Sequence, residues 1–148
     1  MTNFQRTADW LKACGKEPNE TNVSLQIGCH IEEFCEFLGT LRCESDGYAK
    51  LIERTKADLE WFATKLKRGE QFTYIPHHLR EAALDALCDN EVTGNGVAYL
   101  AVMNKPGADL AVMDANDAKL VNGVPVILPG GKIGKPEGWQ PADISPFV

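Results

Sequence analysis

The chain reads as an all-α protein, a bundle of about five helices followed by a hairpin-like tail. Three observations predict this. Apolar residues recur at helical spacing from Phe4 to Leu120, glycines and prolines punctuate the recurrences, and Asn122-Gly123 between two short apolar runs marks the one turn toward strand. The expected organisation is a bundle over residues 1–120 and a tail over 121–148, packed on the bundle or on its functional site.

Phe4, Ala8, Trp10 and Leu11 share helical spacing and Gly15 stands where a left-handed C-terminal residue belongs, so the first helix spans residues 3–14. Thr21, Asn22 or Ser24 can cap the second, whose apolar stripe Ile27, Ile31, Phe34, Leu38 and Leu41 runs to about Glu44. Ser45-Asp46-Gly47 breaks the pattern. The third helix covers Tyr48 to Lys67, with Leu51, Ile52, Leu59, Phe62, Ala63 and Leu66 as its stripe and Gly69 beyond it. Pro76 suits the first turn of a fourth, whose face of Leu79, Ala82, Ala83, Ala86 and Leu87 is narrow and built of small residues. Asn90 falls within that face, where its amide needs partners. Gly94 and Gly96 then imply either close approach of another backbone or a break. Asn104-Lys-Pro-Gly is a turn, Ala108 to Leu120 a fifth helix, Asn122-Gly123 a type I′ hairpin, and Pro129-Gly-Gly131 a second turn.

Composition narrows the class. A chain of 148 residues, 44% hydrophobic and 24% charged, holds one domain with a core. Fifteen basic against 21 acidic residues give a net charge of −6, and the one sizeable basic cluster, Lys65-Leu-Lys67-Arg68, stands at a helix end, which argues against nucleic acid as a partner. Five cysteines without a Cys-x-x-Cys spacing read as reduced thiols of the cytoplasm. No apolar run approaches 18 residues, so no membrane is expected.

The chemistry is concentrated in acidic side chains. Glu32, Glu33 and Glu36 lie on one helix, with no Lys or Arg between Thr21 and Leu41, and Glu33 and Glu36 are three apart and therefore neighbours. Such a face is commonly solvated. Here it is shared with Leu25, Gly28, Cys29, Gly39, Thr40 and Cys43, which suggests a covered surface, and covered carboxylates need a cation. Asp85 and Asp89, four apart on the fourth helix, border its narrow face, with Glu81 one turn back. The expectation is that the two acidic faces meet around Mg²⁺, with Mn²⁺ as a possible substitute.

Glu33-Phe-Cys-Glu36 followed by a later acidic helix resembles the all-α NTP pyrophosphohydrolases, the MazG-like, dimeric dUTPase and phosphoribosyl-ATP pyrophosphohydrolase group, whose signature is Glu-x-x-Glu and then Glu-x-x-Asp. Asp85-Ala-Leu-Cys-Asp89, the stretch Val92 to Ala98, Asp114-Ala-Asn116-Asp-Ala-Lys119, and Gly131-Lys-Ile-Gly-Lys135-Pro-Glu-Gly-Trp139 look like the small phosphoribosyl-ATP pyrophosphohydrolase-like branch often carried by phages. One departure matters: Ala82 and Ala86 stand three before Asp85 and Asp89, so the second motif is completed either by Asp85 with Asp89 or by Glu81 with Asp85.

The resemblance implies Mg²⁺-dependent cleavage of a nucleoside triphosphate between the α and β phosphates, to the monophosphate and pyrophosphate. Glu33, Glu36, Asp85 and Asp89 would be the metal ligands, with Glu33 also counted as catalytic, and Glu32 would accept the proton of the attacking water unless it is simply an exposed neighbour. Asn116 and Lys119 would reach the phosphates; Lys135 and Trp139 would close over the nucleotide, unless the lysine is simply solvated and the indole pins the tail. A homo-oligomer, dimer or tetramer, is expected, because the acidic face needs a cover. Two other readings compete. His30-x-x-Glu33 resembles a reversed Glu-x-x-His of di-iron carboxylate bundles, without a partner histidine on another helix, and the same fold without its second glutamate could be a non-catalytic helical interaction module.

Overall fold

The computed structural model describes residues 1–128 and 133–148. It is mostly helical: α1 (Asn3–Ala13), α2 (Glu20–Thr40), α3 (Asp46–Lys67), α4 (Arg80–Leu100) and α5 (Lys105–Asp117), then a short antiparallel hairpin of β1 (Leu120–Val121) and β2 (Val124–Pro125). The all-α reading therefore holds. The chain divides into two compact units, one of Pro18–Pro76 and the other of Met1–Glu17 with His77–Val148. No helix among the described residues is long and apolar enough to cross a membrane.

The Pro18–Pro76 unit is a helical hairpin whose two arms approach closely because one is lined with small residues. Ser24, Gly28 and Cys35 are the buried positions of α2, facing Ala63 and Leu66 of α3. A Cβ at Gly28 would stand 3.0 Å from the Ala63 carbonyl oxygen and 3.0 Å from Leu66 Cβ. Only a glycine fits that spacing without displacing backbone. The seam therefore runs to one side of the apolar stripe expected from periodicity: Ile27, Ile31 and Leu38 are half-buried, while Phe34 stays 49% and Leu41 38% exposed. Apolar size drives burial, yet the closest helix pairing selects small side chains.

The ends of α2 also differ from the expectation. Asn19, rather than Thr21, Asn22 or Ser24, is the cap, its side-chain oxygen accepting from the Asn22 N–H at 2.8 Å. The helix stops at Thr40, short of Glu44, where Arg42 folds back and donates to the carbonyls of Gly39 (2.9 Å) and Leu41 (2.7 Å). The loop after α3 returns to the hairpin through the Thr73 N–H, which donates to the buried Ser24 hydroxyl at 3.0 Å.

In the other unit, a single 3₁₀ turn, His77–Leu79, follows Pro76, so the proline lies just ahead of the fourth helix rather than in its first turn. The helix α4 runs unbroken through Gly94 and Gly96, which excludes the break. Among the described residues nothing lies within 4 Å of a Cβ at either glycine. The Asn90 side-chain amide bonds back to the Ala86 carbonyl of its own helix at 2.9 Å. Only Ala98 of α4 is buried; Leu84 is 65% and Leu87 51% exposed. Val102, just past its end, takes φ 61°, a left-handed position that a β-branched residue adopts at a cost.

The fifth helix starts three residues earlier and ends three earlier than expected. Asn104 caps it by accepting from the Gly107 N–H at 3.2 Å, and Pro106 in the first turn costs no hydrogen bond, so the expected turn becomes helix. Asn122 and Gly123 take φ 55° and 79°, as a type I′ hairpin requires. The second turn expected at Pro129-Gly-Gly131 lies outside the described residues; on either side of it Ile127 and Ile133 form an antiparallel bridge.

Gly28→Val should destabilise the chain by about 1–3 kcal/mol through overpacking against α3. At Gly39 a Cβ meets only the Lys56 side chain, at 3.4 Å, so Gly39→Ala should be neutral or stabilising. Urea denaturation separates the two. Val102→Gly should raise stability by about 1 kcal/mol in the same experiment, by relieving the left-handed valine.

Candidate functional site

A helix ends with carbonyl groups that have no partner within it. At the end of α5 two of these are taken up by tryptophans from distant parts of the chain. The Trp10 indole N–H, on α1, donates to the Asn116 carbonyl at 2.9 Å; the Trp139 indole N–H, in the tail, donates to the Ala115 carbonyl at 2.7 Å. Lys119, two residues past α5, also donates its backbone N–H to the Asn116 carbonyl, at 3.0 Å, while its ammonium donates to Asn116 Oδ1 at 2.8 Å. That ammonium stands 5.3 Å from the Trp139 ring centre and 6.0 Å from that of Trp10. A cation here is favoured twice, by the π faces and by the negative end of the helix.

Lys135 enters from the tail. Gly138, at φ 77°, occupies the third position of a turn closed by the Trp139 N–H donating to the Pro136 carbonyl at 3.1 Å. A glycine is what such a turn favours there. The reversal carries the Lys135 ammonium to 4.7 Å from the Trp139 ring centre. The four residues expected to touch substrate, Asn116, Lys119, Lys135 and Trp139, thus lie together in one unit.

The helix α1 is held against α5 by Arg6, whose guanidinium donates to Asp117 Oδ2 (2.8 and 2.6 Å) and Asp114 Oδ1 (2.5 Å). The two carboxylates push the Arg6 pKa further up, Asp114 most. Just past the end of the same helix, Cys14 is buried, and burial raises its thiol pKa against the opposing pull of Lys16 and Lys119. The rest of the tail is fastened at the start of α5: the Asn104 N–H donates to the Phe147 carbonyl at 2.8 Å, and the Phe147 ring covers Gly107, where a Cβ would stand 2.6 Å from it.

The acidic residues are placed differently. Glu33 and Glu36 lie on the exposed side of α2, away from the seam with α3. Glu32 borders that seam and its carboxylate is bonded to Lys67 of α3 at 2.5 Å, so the positive charge missing from α2 comes in part from its neighbour. Glu81, Asp85 and Asp89 are exposed along one side of α4. Glu33 and Glu36 belong to the Pro18–Pro76 unit, Asp85 and Asp89 to the other. Each pair offers the hard oxygens that Mg²⁺ takes; among the described residues no three His, Cys, Asp or Glu side chains converge as a metal-holding group.

Sequence reasoning missed Trp10 and Arg6 as parts of this arrangement. Trp10 reads as one more residue of an apolar helix side, and its partner carbonyl is 106 positions away. Comparison with protein-family models, with curated proteins and with solved structures returns no match.

Docking of α1 can be followed through its buried thiol. In the native chain Cys43 and Cys88, both exposed, should react quickly with a maleimide while Cys14 and Cys35 are protected. Arg6→Met should loosen α1 and speed modification of Cys14 several-fold without affecting Cys35, as read by mass spectrometry of the labelled peptides.

Proposed function

We propose that this chain is a Mg²⁺-dependent nucleoside triphosphate pyrophosphohydrolase that cleaves between the α and β phosphates. The observation that carries the reading is the grouping of Asn116, Lys119, Lys135 and Trp139 at the end of α5, since the resemblance of the sequence to the all-α pyrophosphohydrolases assigns these residues to the substrate. Two ammonium groups beside one indole suit a chain of phosphates, whose charge they offset.

Glu33 and Glu36 with Asp85 and Asp89 would hold the metal, which when bound polarises the phosphates and the attacking water. Glu32 accepts the proton of that water; Lys67 holds its carboxylate in place on α2. As the water oxygen bonds to phosphorus, the bridging α–β P–O bond breaks, and pyrophosphate leaves from the monophosphate. Lys119 and Lys135 offset the charge on the phosphate chain while Asn116 orients the Lys119 ammonium. Glu81 is the alternative partner of Asp85 on α4.

The acting form is a homo-oligomer, a dimer or tetramer. This is supported by apolar side chains that each unit leaves exposed, Phe34, Phe37 and Leu51 in the Pro18–Pro76 unit and Leu84, Leu87 and Leu100 in the other. The cytoplasm, where nucleotides and Mg²⁺ are abundant, suits this activity.

Pyrophosphate release from each of the eight common (d)NTPs tests the proposal. At least one should be turned over with Mg²⁺ or Mn²⁺ and none with chelator; Glu33→Gln or Asp85→Asn should lower kcat by about 100-fold or more, and Lys119→Met should act mainly on KM. Mg²⁺ with a good substrate should also raise the melting temperature by ligand linkage. Absence of both turnover and stabilisation with all eight overturns the reading.

A further inference from the structure

We propose that Trp10 and Trp139 are positioning residues, which set Lys119 and Lys135 as a paired-cation site for the phosphate chain, so that this end of the site reads charge rather than a base. The proposal deepens the triphosphate reading and rests on it for the identity of the ligand. Sequence resemblance closes Trp139 over the nucleotide, which would lay its indole against base or sugar, and gives Trp10 no role. The geometry points elsewhere. The Trp139 ring has two ammonium groups beside it, at 4.7 and 5.3 Å from its centre, and Lys119 lies close to a second indole as well.

Both indoles are fixed by their own N–H donors to adjacent carbonyls of the same helix end, Asn116 and Ala115. The rings are therefore held by backbone, and cannot follow a base without losing those bonds. The two Nζ atoms lie within about 10 Å of each other, the sum of their distances from the shared ring centre. Like charges at that range repel; among the contacts described, the Lys119 ammonium meets two π faces and the Asn116 amide oxygen. Among the described residues Lys135 has no carboxylate within 4.0 Å, so its charge is not spent on an ion pair. A cation such as Lys135, oriented by a neutral ring, keeps its field for an incoming anion.

Inorganic triphosphate is the probe, measured by calorimetry on the whole chain without divalent metal. Binding should occur, weaken as salt is raised, and be unaffected by any free nucleoside. Trp10→Leu should weaken it by about twofold to thirtyfold, the range a cation–π contact spans, while Trp10→Phe, which retains a π face and loses the indole hydrogen bond, should recover most of the loss. Lys119→Met, which leaves both indole caps in place, should weaken it at least as much, with circular dichroism showing that all three variants are folded. Competition by nucleosides, or equal affinity in Trp10→Leu and the native chain, overturns the proposal. Triphosphate binding that depends on Trp10 in a chain that hydrolyses no (d)NTP would sink the catalytic reading and leave this one standing; hydrolysis with binding indifferent to Trp10 would do the reverse.

Discussion

The end of α5 is the constraint on which its unit of the structure depends. Its last carbonyls must find donors outside the helix, and they find them in two indoles contributed by the first helix and the last segment of the chain. One requirement of backbone hydrogen bonding thereby closes N-terminus and tail onto the same turn. The Arg6 ion pairs with Asp114 and Asp117 reinforce the first of these attachments, and the Phe147 ring over Gly107 secures the tail at the other end of the helix. Lys119 is drawn in because a helix C-terminus and two aromatic faces all favour positive charge.

The Pro18–Pro76 unit obeys a different rule. Its two long helices are joined through small residues, Ser24, Gly28 and Cys35 against Ala63 and Leu66, so the backbones come close and many weak dispersion contacts accumulate. The consequence is that the larger apolar residues of α2 and α3 flank the seam rather than fill it. Phe34, Phe37 and Leu51 are left exposed in this way. The acidic side of α2 is part of the same economy of faces: once the seam takes the small residues, Glu33 and Glu36 are turned outward and Glu32 meets Lys67 at the border.

The tail is held to its unit at several points. The described residues beyond the hairpin are poor in regular structure, yet each anchor has a partner: Trp139 at Ala115, Gly138 in the turn that aims Lys135, Phe147 at Asn104 and Gly107. A segment of this kind can carry binding residues because the rigid helix beneath it sets their positions.

Much of the local structure was determined by the sequence alone. Five helices, the Gly15 and Gly69 ends, and the Asn122-Gly123 hairpin follow from periodicity and from the few residues that tolerate a left-handed backbone, all of which act over a handful of positions. Asn116 and Lys119 were singled out by resemblance alone; what the structure adds is a local hydrogen bond between them, three positions apart. Tertiary structure decided the rest. Which side of α2 becomes the seam depended on how closely Gly28 lets α3 approach, a property of two helices together that a hydrophobic stripe on one of them does not encode. Trp10 came to the end of α5 because a helix-end carbonyl 106 residues away accepts its indole N–H beside that of the Lys119 backbone, and a hydrogen bond over that separation leaves no periodic trace in the chain that makes it.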